Sequence, residues 1–498
     1  MPLKRTSFVE HVIQPQSLGF AAHWTWIWCV FWSSLFYLEG EAALERRFDL
    51  LGFAQIEPLW VISLLSNVVC MALLIGMLRR HGALAEIKVL PLVAALLTAI
   101  GTLMLSGPTL ALMSAPVATA TYAAGAVLTG LGSGMVVLLW GELLAAEGSK
   151  RVISVFISSL MSAAVCYLLI TLLPRGAAQC LCALLPTASM ALYATAKHGD
   201  TAYLRSQSLQ AKGAGSAPFP KRLVFIALFF GVSFGAMKGF MAPISPEWVQ
   251  VRDALNIVGI VVGVLALHIS TNMLRLDFNH LTYQVALPLM AAGFLFLPFH
   301  EPASVIGTAV HQCGYQYFYI VLWSTWPIIA AEGNMPVGLP AVWSMLAIQL
   351  GQFAGSTLAA AGVSMFPDDL SRAVLSSWAV FAILLVALFV FGDRKATTGW
   401  GYAKPGDDRH EGVDLATAAR RLSQQAGLSP REAEVFALLA HGRTRSYISS
   451  ELVIGEETVK SHVKSIYRKM GLHSQQDAID LLDEECESHP HAASERLG

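Results

Sequence analysis

Residues 428–486 read LSPREAEVFALLAHGRTRSYISSELVIGEETVKSHVKSIYRKMGLHSQQDAIDLLDEEC. The stretch begins like a helix, because Ser429 can cap it, Pro430 suits its first position and Glu432 stands where a capping box places a carboxylate. Gly442 is a natural left-handed stop for that helix. Gly455 separates a second short helix from a third. The pattern predicts a compact bundle of short helices at this end of the chain.

The third helix, from Thr458 to Met470, has two different faces. At about 100° per residue its apolar side chains fall in one stripe, which contains Val459, Val463, Ile466 and Met470. Lysine, arginine and small hydroxyl side chains occupy the other side, as a helix that enters the DNA major groove requires. The helix–turn–helix spacing agrees with this interpretation. The predicted DNA-contacting residues are Thr444, Arg445, Thr458, Val459, Lys460, Ser461, Lys464, Arg468 and Lys469.

These residues resemble the LuxR-type helix-turn-helix family of transcription regulators over about sixty positions. The residues that carry the resemblance are Leu428, Ser429, Arg431, Glu432, Gly442, Ile448, Leu452, Thr458, Val459, Lys460, His462, Val463, Ile466, Lys469 and Ala478. The resemblance implies a four-helix domain whose Thr-Val-Lys helix enters the major groove of double-stranded DNA. It also implies a homodimer formed through the helix Ser474–Glu485. The chain departs from the family pattern at Gly455, Tyr447, Ser449 and Gln475.

The chain before this stretch has a different composition. Of the 498 residues, 55% are hydrophobic and only 13% are charged, whereas a soluble domain carries roughly 25% charged residues. The charged residues are also uneven, since 31 of the 67 lie at or beyond Asp393. We therefore predict a membrane domain over residues 1–392, a linker over 393–426, the DNA-binding domain over 427–487 and a flexible tail over 488–498. A short helix over Asp414–Gln425 that packs on the DNA-binding domain is a further hypothesis.

Twelve apolar segments have roughly the length that spans a bilayer, about 20 residues. They are residues 18–38, 57–78, 87–105, 117–141, 152–173, 177–196, 222–242, 252–270, 281–299, 303–331, 339–362 and 371–392. The predicted fold class is therefore all-α: a polytopic bundle of about twelve transmembrane helices followed by the small cytoplasmic four-helix domain.

Basic residues predict the orientation, because cytoplasmic loops are enriched in lysine and arginine. If the N-terminus is cytoplasmic, most loop cations fall on the cytoplasmic side: Lys4, Arg5, Arg79, Arg80, Lys88, Lys150, Arg151, Lys197, Arg205, Lys212, Lys221, Arg222, Arg275, Arg394 and Lys395. An even number of spans then returns the C-terminus to the cytoplasm, where DNA is. We predict a multi-pass protein of the bacterial cytoplasmic membrane with both termini inside.

The longest polar interruption of the membrane part, Lys197–Arg222, divides the spans six and six. This layout resembles the major facilitator superfamily of transporters, whose halves are joined by a basic cytoplasmic loop. The loop Gly76–Gly82 stands where that family has a Gly- and Arg-bearing signature, but it lacks the expected Asp. The alternative to a regulator is therefore an active transporter with a regulatory DNA-binding tail, or a tail that binds a protein.

Polar residues at membrane depth are candidates for function: His23, Asn67, Glu142, Lys238, Asn256, His311, Gln312, Gln316, Gln349 and Gln352. The tenth span has the most, and its aromatic and amide side chains suit a pocket for a small molecule. Interhelical hydrogen bonds and interfacial aromatic side chains are the alternative explanation of the same residues, and the sequence favours it over a pocket. The predicted ligand-binding set is His311, Gln312, Tyr315, Gln316, Tyr319 and Trp323.

The sequence shows no phosphate-binding glycine loop, no His-Glu-x-x-His metal motif and no nucleophile triad, so we expect neither an enzyme nor a cofactor. The sequence hypothesis is a one-component regulator. Its C-terminal domain binds promoter DNA, and its membrane domain senses an unknown small molecule or a state of the bilayer.

Overall fold

The computed structural model divides the chain into two compact units, residues 1–405 and 406–498. The described residues are 14–36, 48–50, 54–146, 149–197, 221–241, 245–272, 285–332, 335–391, 418–440, 448–449, 452, 454–472, 474–475, 477–478, 481–482 and 485. The predicted tail 488–498, and the linker as far as residue 417, lie outside them.

The described part of the first unit contains twelve helices of nine residues or more, one for each predicted segment. They are α1 Pro15–Phe31, α2 Pro58–His81, α3 Leu90–Leu105, α4 Ala115–Ala146, α5 Ser149–Thr171, α6 Arg175–Ala196, α7 Lys221–Phe240, α8 Val249–Asn272, α9 Leu287–Leu295, α10 Ala303–Glu332, α11 Gly338–Met365 and α12 Asp369–Phe391. Within the described residues, seven of them (α2, α4–α8 and α11) are long and apolar enough to cross a membrane. Twelve complete spans remain a prediction.

The predicted all-α class is confirmed. Its one addition among the described residues is a small antiparallel hairpin between α1 and α2, in which β1 (Phe48–Leu50) pairs with β2 (Ala54–Ile56). Short helical turns cover Leu84–Glu86, Gly107–Leu110 and Pro246–Trp248.

Polar side chains inside the apolar helices donate to carbonyls of their own helix. Thr98 Oγ1 donates to Ala94 O at 2.7 Å, Thr102 Oγ1 to Thr98 O at 2.7 Å and Ser324 Oγ to Val321 O at 2.7 Å. These bonds matter because an unpaired polar group costs several kcal/mol in hydrocarbon.

The helices pack mainly within two halves, α1–α6 and α7–α12. In the first half α1 lies against α5 and α6, and α4 lies against α2 and α3. In the second half α7 pairs with α11, and α10 with α8 and α9. The halves meet through α2 on α11 and through α5 on α8 and α10.

Glycines bring α7 and α11 together. A Cβ built on Gly235 of α7 would lie 2.0 Å from Gln352 O, and one built on Gly355 of α11 would lie 2.1 Å from Val232 O. Small residues one helical turn apart allow such backbone approach in membrane helices. Only glycine therefore leaves enough room for the facing backbone at these two positions.

Glu142 shows how a buried carboxylate is accommodated in the first unit. Its side chain is fully buried on α4. Its two oxygens accept the backbone N–H groups of Leu84 and Ala85 at 3.0 and 2.6 Å. Lys197 donates to the carbonyl of Ala85. The two charged side chains thus hold the loop between α2 and α3.

The second unit contains α13 (residues 418–425), α14 (Pro430–Ala440) and α15 (Glu456–Met470). Val459, Val463 and Ile466 are buried on α15, and Met470 packs against the same core, so the predicted apolar stripe is confirmed. Ala418, Ala419 and Leu422 of α13 also belong to this core. The core therefore includes residues before 427, and α13 lies within the short helix over Asp414–Gln425 that the sequence suggested.

Glu432 links α14 to α15 through hydrogen bonds of its carboxylate. Ser429 N donates to Glu432 Oε2 at 2.7 Å and Glu432 N donates to Ser429 Oγ at 3.3 Å, which forms the expected capping box. The same carboxylate accepts Ser465 Oγ at 2.6 Å and Lys469 Nζ at 2.7 Å from α15. The hydrogen-bonded Lys469 ammonium, followed by Ser465 and the Ser429 amide, lowers the pKa of Glu432 to about 2.

The neighbouring Arg431 holds the turn before α15. Its Nη2 donates to Leu452 O at 2.6 Å. The Arg-Glu pair at the start of α14 thus fixes both the approach to α15 and its C-terminal half.

We predict that Gly235→Ala lowers the thermal stability of the purified full-length protein, because the added methyl group would overlap the α11 backbone. Overpacking of this kind costs about 1–3 kcal/mol. Gly76→Ala is the matched control on α2, since a Cβ at Gly76 meets nothing within 4 Å. An equal loss of stability in both variants would contradict the close approach of α7 and α11.

We predict that Glu432→Gln destabilises residues 406–498 at pH 7. The folded-state pKa of Glu432 lies below the unfolded value of about 4.3. The stabilisation is therefore complete above pH ~4.3 and is lost as the pH falls through about 2. Thermal unfolding of both proteins at several pH values measures this, and the two curves should converge at low pH.

Glu434→Gln provides the control for that experiment, because Glu434 is an exposed acid on the same helix. It should change the stability little at any pH. A constant difference between wild type and Glu432→Gln down to pH 2 would show that packing, rather than the charge, is responsible.

Candidate functional site

The helix α15 presents a polar face to solvent. Thr458, Lys460, Ser461, Lys464 and Arg468 are exposed on it, opposite the buried stripe. The helix starts after Gly455, which has extended backbone and no side-chain cap, and stops at Gly471 in the left-handed region with φ 68°. The exposed face therefore carries three cations and two small hydroxyl groups along about three turns of helix.

The first turn of this helix also carries Glu456 and Glu457, which are exposed. Lys460 Nζ lies 3.3 Å from Glu457 Oε1, and the two side chains are 61% and 88% exposed. An ion pair this exposed contributes little to stability. The Lys460 ammonium can therefore leave Glu457 and bind a phosphate instead.

Two of the predicted DNA-contacting residues make contacts within the domain itself. Val459 is fully buried in the domain core, so its side chain packs rather than faces DNA. The position of Val459 in the apolar stripe of the helix already indicated that its side chain is buried. Lys469 Nζ is bonded to Glu432 and lies 3.3 Å from Gly427 O, so it holds α15 in place. Thr444 and Arg445 lie outside the described residues.

The first unit contains a cavity of about 120 Å³ between its halves, called cavity A here. Tyr315 and Tyr319 of the predicted ligand-binding set line it. Its full lining is Trp24, Ile27, Phe31, Trp32, Trp60, Ser63, Leu64, Asn67, Ser133, Val137, Tyr315, Tyr319, Met345, Ile348, Gln349 and Gln352.

The polar groups of cavity A bind one another. Asn67 Nδ2 donates to Ser133 Oγ at 3.1 Å, and Gln349 Nε2 donates to Asn67 Oδ1 at 2.8 Å. Gln352 Nε2 donates to Tyr315 OH at 3.2 Å. The bond between Gln349 and Asn67 joins the two halves, whereas each of the other two lies within one half.

A second cavity of about 80 Å³, cavity B, lies beside the first and shares Phe31 and Trp32 with it. His311 and Gln312 of the predicted set line it. The rest of its wall is Phe234, Met237, Lys238, Met241, Arg252, Asn256 and Thr308. The cavity thus combines α1 of the first half with α7, α8 and α10 of the second.

The predicted ligand-binding set is therefore divided. Gln316 and Trp323 line neither cavity and are buried; Trp323 packs against Phe156 and Trp326, with ring centroids 4.9 and 4.1 Å apart. Sequence reasoning on the tenth span did not find the tryptophans of α1 and α2 that line cavity A. The sequence signal that could have identified these residues was the cluster of tryptophans near the N-terminus.

Among the described residues, no group of three or more His, Cys, Asp or Glu side chains is placed to hold a metal ion.

The family described as "Bacterial regulatory proteins, luxR family" matches residues 426–482. The transcriptional activator RamA of Corynebacterium glutamicum is 38% identical over 73 residues, which are 15% of this chain and 26% of RamA. The spore germination protein GerE of Bacillus subtilis is 40% identical over 52 residues, which are 10% of this chain and 70% of GerE.

The membrane unit resembles solved transporters. The proton:xylose symporter XylE of the major facilitator superfamily has a TM-score of 0.53 and 14% identity, with 81% of this chain and 98% of XylE covered. A bacterial homologue of the iron transporter ferroportin has a TM-score of 0.52 and 13% identity, with 78% and 99% covered. At these identities the similarity shows the fold. The chain belongs to the LuxR family of bacterial regulatory proteins through its C-terminal domain, which follows a membrane domain of major-facilitator fold.

Proposed function

We propose that this protein is a membrane-embedded one-component transcription regulator that binds promoter DNA under the control of its membrane domain. The observation that carries the proposal is the cationic, solvent-exposed face of α15 on the same polypeptide as a membrane domain with cavities between its halves. No catalytic step belongs to the proposal.

Lys460, Lys464 and Arg468 would contact phosphates or guanines, and Thr458 and Ser461 would approach the floor of the groove. Glu432 and Lys469 would act as positioning residues, because their bond sets the orientation of α15. The helix Ser474–Glu485 would pair two such domains on a two-fold DNA site. Ser474 Oγ, 2.5 Å from Asp477 Oδ1, and the Asp477 N–H donated back to Ser474 Oγ at 3.1 Å support a helix start there.

The membrane domain would act as the sensor in the bacterial cytoplasmic membrane, with both termini in the cytoplasm. A ligand need only bind one arrangement of the two halves better than another to shift their populations. Residues 392–417 would carry the change to the DNA-binding domain.

An active transporter with a regulatory tail is the second candidate, and the cavities between the halves favour it. Robust flux of a small molecule through vesicles that contain the purified protein, abolished by substitutions in the cavity wall, would support it. A regulator alone should bind its ligand without flux.

We predict that Lys464→Ala weakens binding of residues 406–498 to every DNA sequence by a similar factor. Loss of one phosphate contact releases one fewer counterion. The slope of log K against log salt should therefore become shallower by about 1. Gel retardation or anisotropy over a range of salt concentrations measures it.

Arg420→Ala is the matched control, since Arg420 is an exposed cation of the same domain that lies on α13. It should leave the salt slope unchanged. An equal decrease in both variants would show a general charge effect rather than contact through α15.

We predict that immunoprecipitation of the tagged full-length protein from intact cells enriches a few discrete promoters. Lys460→Ala/Lys464→Ala should remove those peaks while the protein remains in the membrane fraction. Peaks that persist in the double variant would contradict the assignment of α15 as the DNA-contacting helix.

A further inference from the structure

Lys238 places a cation in the wall of cavity B. Its ammonium donates one hydrogen bond among the described residues, to Phe31 O at 3.2 Å, and lies 4.6 Å from the centroid of the Trp60 ring. Glu57 Oε2 is 3.9 Å away, too far for a hydrogen bond. Since an ammonium has three donors, Lys238 keeps hydrogen-bonding capacity for a further acceptor.

Gln312 also lines cavity B, and its unpaired amide nitrogen lies enclosed behind the wall. Its side chain is 5% exposed, and its Nε2 has no hydrogen-bond partner among the described residues. A buried amide without a partner is costly. The three amide side chains of cavity A differ in this respect, since Asn67, Gln349 and Gln352 donate to neighbours there.

The acids near cavity B are already occupied. Asp253 accepts Ser34 N at 2.6 Å and Arg252 Nη2 at 2.8 Å. Arg252 itself reaches the cavity wall, whereas Asp253 and Glu57 do not line it. A ligand in the cavity therefore meets two cations and the side chain of Gln312.

The remaining wall is apolar and adaptable. Phe31, Trp32, Phe234, Met237 and Met241 supply two kinds of surface, aromatic faces and flexible thioethers. About 80 Å³ is several times the roughly 10–15 Å³ that one water needs. The space suits a single ring or a short aliphatic chain.

We propose that cavity B binds a small amphipathic carboxylate. Its carboxylate is held by Lys238 and by Gln312, whose buried terminal amide turns into the cavity to pair its Nε2 with the ligand, and its apolar body lies against Trp32 and Phe234. This inference names the ligand class of the sensor and therefore rests on the proposed function.

The same ammonium connects the two halves, because Lys238 belongs to α7 while Phe31, Glu57 and Trp60 belong to the first half. A carboxylate at Lys238 competes with Glu57 for that charge. Binding in cavity B thus changes the strength of a contact between the halves, which is what a sensing site requires.

The test uses the full-length protein in lipid nanodiscs, without DNA, and three probes that share one ring: benzoate, benzamide and benzylamine. Binding is measured as ligand-dependent thermal stabilisation and titrated to an affinity. Benzoate should stabilise the protein at lower concentrations than benzamide, and benzylamine should not stabilise it.

Lys238→Met should abolish the preference for benzoate over benzamide, and Lys238→Arg should retain it. Gln312→Leu should weaken benzoate binding about tenfold or more, as expected for a lost hydrogen bond to a charged group. Gln352→Leu is the matched control, since it removes an amide from cavity A, and it should leave benzoate affinity unchanged.

Equal binding of benzoate and benzamide, or no binding of either at millimolar concentration, would overturn the inference. So would a loss of affinity in Gln352→Leu equal to that in Gln312→Leu, because the ligand would then lie in cavity A. If Lys238→Met does not fold, Lys238→Arg and Gln312→Leu still decide the result. Promoter enrichment in cells is measured independently, so failure here leaves the DNA-binding proposal standing.

Discussion

A polar group inside an apolar helix bundle must find its hydrogen-bond partner within the protein, because hydrocarbon offers none. The membrane unit meets this requirement in three ways. Thr98 and Thr102 donate hydroxyl hydrogen bonds to backbone carbonyls of their own helix. Asn67 and Gln349 pair across the two halves. Glu142 accepts two loop amides. Each bond orders a different level of the fold: the helix, the contact between halves and the loop.

This requirement makes the exception informative. Gln312 is one of several buried side chains of the described membrane unit that have an unpaired polar atom, and it is one that lines a cavity. Its neighbour in the cavity wall, Lys238, holds a charge that Glu57 meets only at 3.9 Å. The DNA-binding unit follows the opposite rule, since water can satisfy its surface. There Glu432 is the group whose bonds fix the helices, and the cations of α15 remain exposed.

The local sequence pattern was sufficient to predict the structural features that depend on residues close together in the chain. The capping box at Ser429 and Glu432 and the buried stripe of α15 follow from spacing alone. The cavities do not, because they combine α1 with helices more than 200 residues away. Gln312 and Gln316 lie four positions apart on α10, yet only Gln312 lines a cavity. The packing of α7 and α8 around α10, rather than helical period, decides which amide lines a cavity.

A carboxylate in cavity B would act on the arrangement of the halves through electrostatics rather than through a new packing surface. Lys238 reaches from α7 to Phe31 O and the Trp60 ring, so its charge stabilises the contact between the halves at this point. An anion that takes part of this charge weakens the contact with Glu57 while adding its own contacts to α1 and α10. The two effects oppose each other in free energy. Their difference between the two arrangements of the halves, not the affinity itself, sets the direction of the population shift.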